Sequence, residues 1–223
     1  ENRLSEVGAY AFVTLEGQLG LQFDHALYTD QDEWFFLGEG RFQSFPLQYY
    51  GIGPDTPAEP RATVDELVLL LRERVLREIA PSFYVGLELG FDLTTNVRFN
   101  WSEGVEPEPP NGADGSLNVM LGAGLVYDSR HNVLNVRDGL FAELALLHSN
   151  DAWGSDFEFT VLESDTRWFV AVNERDTLAM QLYGRFSFGD VPFNELSTLG
   201  GESLLRGYYL GRFRDRHFMG GQI

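Results

Sequence analysis

Phe83-Tyr84-Val85-Gly86-Leu87-Glu88-Leu89-Gly90-Phe91-Asp92-Leu93-Thr94-Thr95 alternates without interruption. Phe83, Val85, Leu87, Leu89, Phe91 and Leu93 fall on one face; Tyr84, Gly86, Glu88, Gly90 and Asp92 fall on the other. Successive side chains of a strand point to opposite faces, so this is a strand with one fully apolar side. Its apolar run spans about 20 Å, roughly one tilted crossing of an outer-membrane hydrocarbon band. A sandwich strand is usually shorter, and its outer face meets water. Here the non-apolar face bears glycines and carboxylates, which suits a polar lumen.

The same period continues on both sides. Leu117, Val119, Leu121, Ala123 and Leu125 make one face, with Asn118, Gly122 and Gly124 behind. Leu140, Ala142, Leu144 and Leu146 follow, opposite Glu143; then Leu178, Met180, Leu182, Phe186 and Phe188, opposite Gln181, Tyr183 and Arg185. Upstream, Leu19, Leu21 and Phe23 share a face, as do Trp34, Phe36 and Phe42, with Glu39, Arg41 and Gln43 opposite the latter. Phe157, Phe159 and Val161 stand on the opposite parity to Trp168, Val170 and Val172, which predicts a bulge near 163–166.

Residues 63–79 read two ways. Thr63 with Glu66 forms a capping box, and Val64, Leu67, Leu71, Val75 and Ile79 fall near helical spacing. As a strand, Leu67, Leu69, Leu71, Val75 and Ile79 share a face that Glu73 and Arg77 interrupt. The strand is adopted because its neighbours are strands. It also keeps the loop lengths in order. Connections near 30, 80 and 174 are short, while 46–62, 102–116 and 189–216 are long; 128–139 is a long member of the first set and 150–156 a short member of the second. Alternating short turns and long loops mark a transmembrane barrel. Nine strands precede the last long loop and a tenth begins at His217.

Composition narrows the function. The chain has 223 residues, no cysteine, and 34 Asp+Glu against 16 Lys+Arg, for a formal charge of -18. That balance disfavours nucleic acid and anionic membrane surfaces as partners. No run of 18 apolar residues offers a transmembrane helix. His25, His131, His148 and His217 have no metal-ligand spacing. Gly201-Glu202-Ser203-Leu204-Leu205 lacks the second glycine of a hydrolase elbow. Glu88 and Asp92 lie about 13 Å apart along one strand, too far for an acid/base pair. The expectation is a non-enzymatic protein with no cofactor. A start at Glu1 and a stop inside Gly220-Gly221-Gln222-Ile223, at the opening of a strand, read as a piece of something longer.

Two motifs remain. Leu199-Gly200-Gly201-Glu202-Ser203-Leu204-Leu205-Arg206-Gly207-Tyr208-Tyr209-Leu210-Gly211-Arg212-Phe213-Arg214-Asp215-Arg216 concentrates glycine, aromatics and four arginines in an acidic chain. Asp128-Ser129-Arg130-His131-Asn132-Val133-Leu134-Asn135-Val136-Arg137-Asp138-Gly139 can bond internally through Asp128, Arg130 and Asn132. Leu205-Arg206-Gly207-Tyr208 resembles the signature of the Omp85 superfamily, the bacterial surface-antigen barrels of outer-membrane assembly and secretion. The second stretch resembles that family's Asp-x-Arg-x-Asn turn with its later glycine, Gly139; Val136 stands where the family usually has proline. Tyr49-Tyr50-Gly51-Ile52-Gly53 is similar to an element of the same barrels.

The resemblance covers roughly Ala11 onward. It implies an all-β fold, a transmembrane antiparallel β-barrel of which residues 1–223 supply about ten of sixteen strands, starting at the third, with the inserted loop at 189–216. It implies a bacterial outer membrane, lipid contact and unfolded outer-membrane or secreted polypeptides as substrates. Missing chain segments or a second copy are needed to close the barrel. It further implies that Arg206 lies inside the lumen, with Gly207 allowing close approach to the wall and Tyr208 packing beside it. Glu39, Glu88, Asp92 and Glu143 are the carboxylates that face it, although the family's usual acidic partner lies on strands beyond Ile223. Arg212, Arg214 and Arg216 are expected on a solvated return limb. The competing readings are a passive porin-like channel and a soluble all-β carbohydrate-binding domain; in the latter, Leu87, Leu89, Leu121 and Leu182 pack between two sheets.

Overall fold

Residues 63–79 are strand. The computed structural model describes residues 3–15, 17–130, 132–201 and 204–223, the side chain of Asp30 apart. In chain order the strands are β1 (Glu6–Val13), β2 (Leu19–Tyr28), β3 (Trp34–Ser44), β4 (Leu47–Tyr49), β5 (Ala62–Ala80), β6 (Phe83–Trp101), β7 (Ser116–Asp128), β8 (Gly139–Ser149), β9 (Phe159–Ala171), β10 (Thr177–Gly189), β11 (Ser197–Leu199), β12 (Phe213–Asp215) and β13 (His217–Gln222). β5 imitates a helix because both its faces are apolar. Val64, Val68, Leu70 and Leu76 are buried inward, while Leu71 and Ile79 are exposed outward. Period two is invisible when neither side is polar.

Ten strands form one antiparallel meander in the order β1-β2-β3-β5-β6-β7-β8-β9-β10-β13, with β4 paired to the end of β5. β1 and β13 are the two edges of this path. β11 and β12 pair with each other inside the loop that joins β10 to β13. The sheet is strongly coiled: Arg72 on β5 lies 3.5 Å from Glu163 on β9, four strands along. Short turns gather at one end, and the loops at 45–61, 102–115 and 190–216 at the other.

The outer surface is apolar. Leu87, Leu89, Leu121 and Leu182 are 71%, 53%, 40% and 55% exposed, so no second sheet covers them. That rules out the sandwich arrangement, in which these four residues would be core. Leu144, Leu146, Trp168 and Phe23 extend the same belt.

The predicted bulge at 163–166 is absent: β9 pairs with β8 and β10 in continuous register from Phe159 to its last residues. The bulge sits instead in β6. Its register with β5 shifts between Asp65 and Leu67, where Asn96 adopts a positive φ of 56°. One extra residue flips every later side chain to the other face. Val97, Phe99 and Trp101 therefore pack inward. Phe159 and Val161 are also inward and buried, whereas Trp168 faces out. Their opposite parity reflects an apolar interior at the long-loop end.

The interior has three layers. Phe35, Leu76, Tyr84, Val126 and Phe141 form a floor at the short-turn end. Charged side chains occupy the middle. Tyr49, Val64, Met120, Leu147, Phe159, Val161, Val191, Phe193 and Leu196 form an apolar plug at the long-loop end.

Candidate functional site: the lumen and its inserted loop

The middle layer is a network of ion pairs across the barrel. Arg74 on β5 donates to Glu88 on β6 and Glu143 on β8, both at 2.9 Å. Arg72 lies 3.5 Å from Glu163 and 3.9 Å from Glu195, while Arg185 on β10 donates to the Glu195 carboxylate at 3.0 Å. The Tyr183 hydroxyl donates to Glu163 at 2.7 Å. Each guanidinium is enclosed and meets more than one carboxylate, so its fixed fork of donors is used across strands rather than along one. Glu39, Glu88, Asp92 and Glu143 all face the lumen as the alternation requires. Glu88 and Glu143, however, are held by Arg74 of the wall. Asp92 accepts from Thr94 at 3.2 Å and from Asn194 of the loop at 3.1 Å. Glu39 lines both lumen cavities, of about 680 and 530 Å³.

Arg72, Arg74, Glu163 and Glu195 were missed by sequence reasoning. The signal was there: on β5 the even positions that carry Val64, Val68 and Leu70 also carry Arg72 and Arg74. The helix-or-strand ambiguity hid that parity.

The loop after β10 turns back into the lumen rather than away from it. The stretch Phe193–Glu195 forms one 3-10 turn whose Phe193 and Glu195 are buried. Asn111 of the 102–115 loop donates to Asp190 at 2.7 Å, and the Phe193 N–H donates to the Asn111 carbonyl at 2.9 Å. Arg185 donates to the Glu195 carbonyl at 2.6 Å, and the Ser197 hydroxyl donates back to the Arg185 carbonyl at 3.1 Å. These bonds seat the first limb of the loop as a lid.

The return limb is also seated, against expectation. Arg212 donates to the Thr56 hydroxyl at 2.7 Å and lies over the Tyr50 and Phe213 rings, 4.6 Å from each centroid. Arg214 donates to the Phe193 carbonyl and stacks over its ring at 5.2 Å. Burial pulls Arg214 below the ordinary guanidinium range, opposed by Glu66 and Tyr49. The Gly53 N–H donates to the Arg214 carbonyl at 2.8 Å, so the Tyr-Gly-Ile-Gly loop and the inserted loop clasp each other. Only Arg216, donating to the Gly189 carbonyl, is on an exposed return.

Arg206 is the correction. Leu205, Arg206, Gly207 and Tyr208 are exposed, and among the described residues Arg206 has no carboxylate partner. A Cβ on Gly207 would meet nothing within 4 Å, so its φ of 100°, not close approach, demands glycine there. Tyr208 packs on Phe213 at 5.8 Å, and its carbonyl accepts from the Gly201 N–H. Arg212 and Arg214 outrank Arg206 because they are close enough to the lid to reach enclosed acceptors. Glu202 and Ser203 lie outside the described residues.

The second motif is a braced turn. Arg130 grips Asp128 with its Nε at 2.9 Å and Nη2 at 3.0 Å, and lies 4.5 Å over the Phe141 ring. Asn132 accepts from the Leu134 and Asn135 N–H groups at 3.0 and 3.2 Å. Gly139 has φ 122°, and a Cβ there would stand 3.0 Å from Arg130 Cα. His131 lies outside the described residues.

A coiled antiparallel meander with an apolar outside, a charged inside and a loop seated in the lumen defines a transmembrane β-barrel. The Omp85 superfamily domain model matches residues 72–223, and the chain belongs to that superfamily. Among 40 similar solved chains is the crystal structure of BamA from Haemophilus ducreyi lacking POTRA domains 1-3. The two share 14% identity with a TM-score of 0.59 over 93% of this chain, a likeness of fold; this chain spans 40% of that one. No curated protein matches.

Proposed function

We propose that residues 1–223 form part of one outer-membrane β-barrel domain, with its inserted loop at 189–216. In this reading it is a non-enzymatic factor that assembles outer-membrane proteins or translocates polypeptides in the bacterial outer membrane. Its partners are membrane lipid and unfolded polypeptide; closure of the sheet is supplied by further chain or a second copy. The observation that carries this reading is the seated lid. A passive porin keeps its lumen open and polar, whereas here Phe193 and Leu196 complete an apolar plug above a lattice of ion pairs. A barrel blocked in this way is better suited to handling substrate at its strand edges than through its middle. Membership of the superfamily supports the same reading, and the exposed Leu205–Tyr208 tip is placed to meet whatever strands complete the wall.

Depletion of the full-length protein, followed by measurement of the folded outer-membrane proteome and of secreted polypeptides, tests the proposal. Loss of one of these with unchanged small-solute uptake is expected. Unchanged assembly and secretion with reduced uptake returns the porin reading.

A further inference from the structure

Arg3 precedes β1, yet it reaches residues 32, 82 and 128, far along the chain. Its backbone N–H donates to Asp32 at 3.0 Å. Its guanidinium donates to the Ser82 hydroxyl at 3.0 Å and to the Asp128 carbonyl, and lies 3.1 Å from the Asp128 carboxylate. It sits over the Tyr28 and Tyr84 rings, 5.6 and 5.8 Å from their centroids. Asp32 and Ser82 lie in the β2–β3 and β5–β6 turns and Asp128 closes β7 at the start of the β7–β8 connection, three successive connections at one end of the sheet. One side chain thus ties three turns together.

The place of these contacts matters. Tyr28 stacks on Phe35 at 4.3 Å, and Tyr84 meets both edge-on, so the rings beneath Arg3 are the floor of the lumen. Asp128 has no exposed surface, and it is the residue that Arg130 also grips. Two guanidiniums share one enclosed carboxylate, one from within the turn and one from the chain entering β1. A cation over two rings and against a buried carboxylate is held by terms that strengthen as water is excluded.

We propose that Arg3 is a latch. The segment entering β1 bolts the short-turn end of the lumen through Asp128, so that displacing this segment releases the 129–138 turn and opens the floor. The inference rests on the fold and not on the assembly reading. Its readouts measure the barrel itself, so either idea can fail alone.

The test uses the full-length protein in lipid bilayers, with single-channel conductance and amide hydrogen exchange. In Arg3→Ala, exchange across 129–138 should quicken about tenfold while 172–176 stays unchanged, as local opening predicts, and conductance should rise. Arg3→Lys should restore little, because a point charge cannot serve a carboxylate, a carbonyl and a hydroxyl together. The pair Arg3→Cys with Asp32→Cys, once oxidised, keeps the segment docked on the β2–β3 turn but without the guanidinium, so 129–138 should still exchange as in Arg3→Ala. Wild-type exchange and conductance in Arg3→Ala would overturn the latch. If Arg3→Ala does not assemble, the cysteine pair decides, and wild-type exchange across 129–138 in its oxidised form would equally overturn the latch.

Discussion

Arg74 ties three strands of the lumen wall together through two carboxylates. Its side chain is 12% exposed and serves Glu88 at 3% and Glu143 at 19%. Removing one partner of an enclosed pair costs about 3–5 kcal/mol, because the remaining charge stays buried without compensation. Arg74→Ala should therefore lower the unfolding free energy of the barrel, measured in urea, by that amount, and Arg74→Lys should recover less than half. Arg206 makes a contrasting case. Its exposed guanidinium meets no carboxylate among the described residues, so in this chain Arg206→Ala should leave the unfolding midpoint unchanged. Arg212→Ala, by contrast, should loosen the clasp on Thr56 and Tyr50 and quicken exchange across 51–56. Equal effects of the two substitutions would refute this ranking of the loop arginines.

The bulge in β6 determines what fills the long-loop end. Asn96 in the left-handed region costs little, since asparagine visits it routinely. Asn96→Gly should be neutral, and Asn96→Val should cost about 1–2 kcal/mol. Deleting Asn96 should have the larger consequence: Val97, Phe99 and Trp101 would turn outward, away from Tyr49 and Phe193. With Trp34, Trp153 and Trp168 replaced by phenylalanine so that Trp101 is the one remaining tryptophan, lipid-borne quenchers should reach it in the deletion variant and not in the otherwise identical parent. Gly86 marks a second constraint. A Cβ there would lie 1.8 Å from the Val75 carbonyl oxygen, a backbone atom that cannot step aside without parting β5 from β6. Gly86→Ala is accordingly expected to impair assembly.

The whole barrel is an inversion of a water-soluble domain, with leucines outside and arginine–carboxylate pairs inside. That arrangement is stable only where hydrocarbon replaces water at the outer face. Leu89→Arg should then cost about 2–4 kcal/mol in bilayers, as charges do on the lipid face of barrels. Refolding into vesicles monitored against urea measures it, and a cost near zero would count against a membrane position for that row. The lid makes a complementary prediction. Replacing residues 190–196 by a Gly-Ser linker should raise conductance severalfold, because Val191, Phe193 and Leu196 are the loop's share of the plug. The floor of Phe35, Tyr84 and Phe141 would then be the remaining barrier.

The strands, their outward faces and the alternation of loop lengths were written in local chemistry. Period-two patterning depends only on neighbours along the chain and on one face meeting an apolar medium. The braced turn was equally local: Arg130 meets Asp128 two residues back and Asn132 accepts from the Leu134 and Asn135 N–H groups just ahead, so the composition of the stretch already contained these hydrogen bonds. The contents of the lumen were not local. Whether a lumen-facing carboxylate meets Arg206 or Arg74 depends on how tightly the sheet coils, and that brings β5 within an ion pair of β9. The parity of Phe159, Val161 and Phe99 likewise followed from an apolar plug formed by residues far apart in the chain, as Val64 and Phe193 are. A single extra residue at Asn96 then changed which side faced inward. Period two reports that a strand has two faces; only the closed packing of distant segments decides what each face touches.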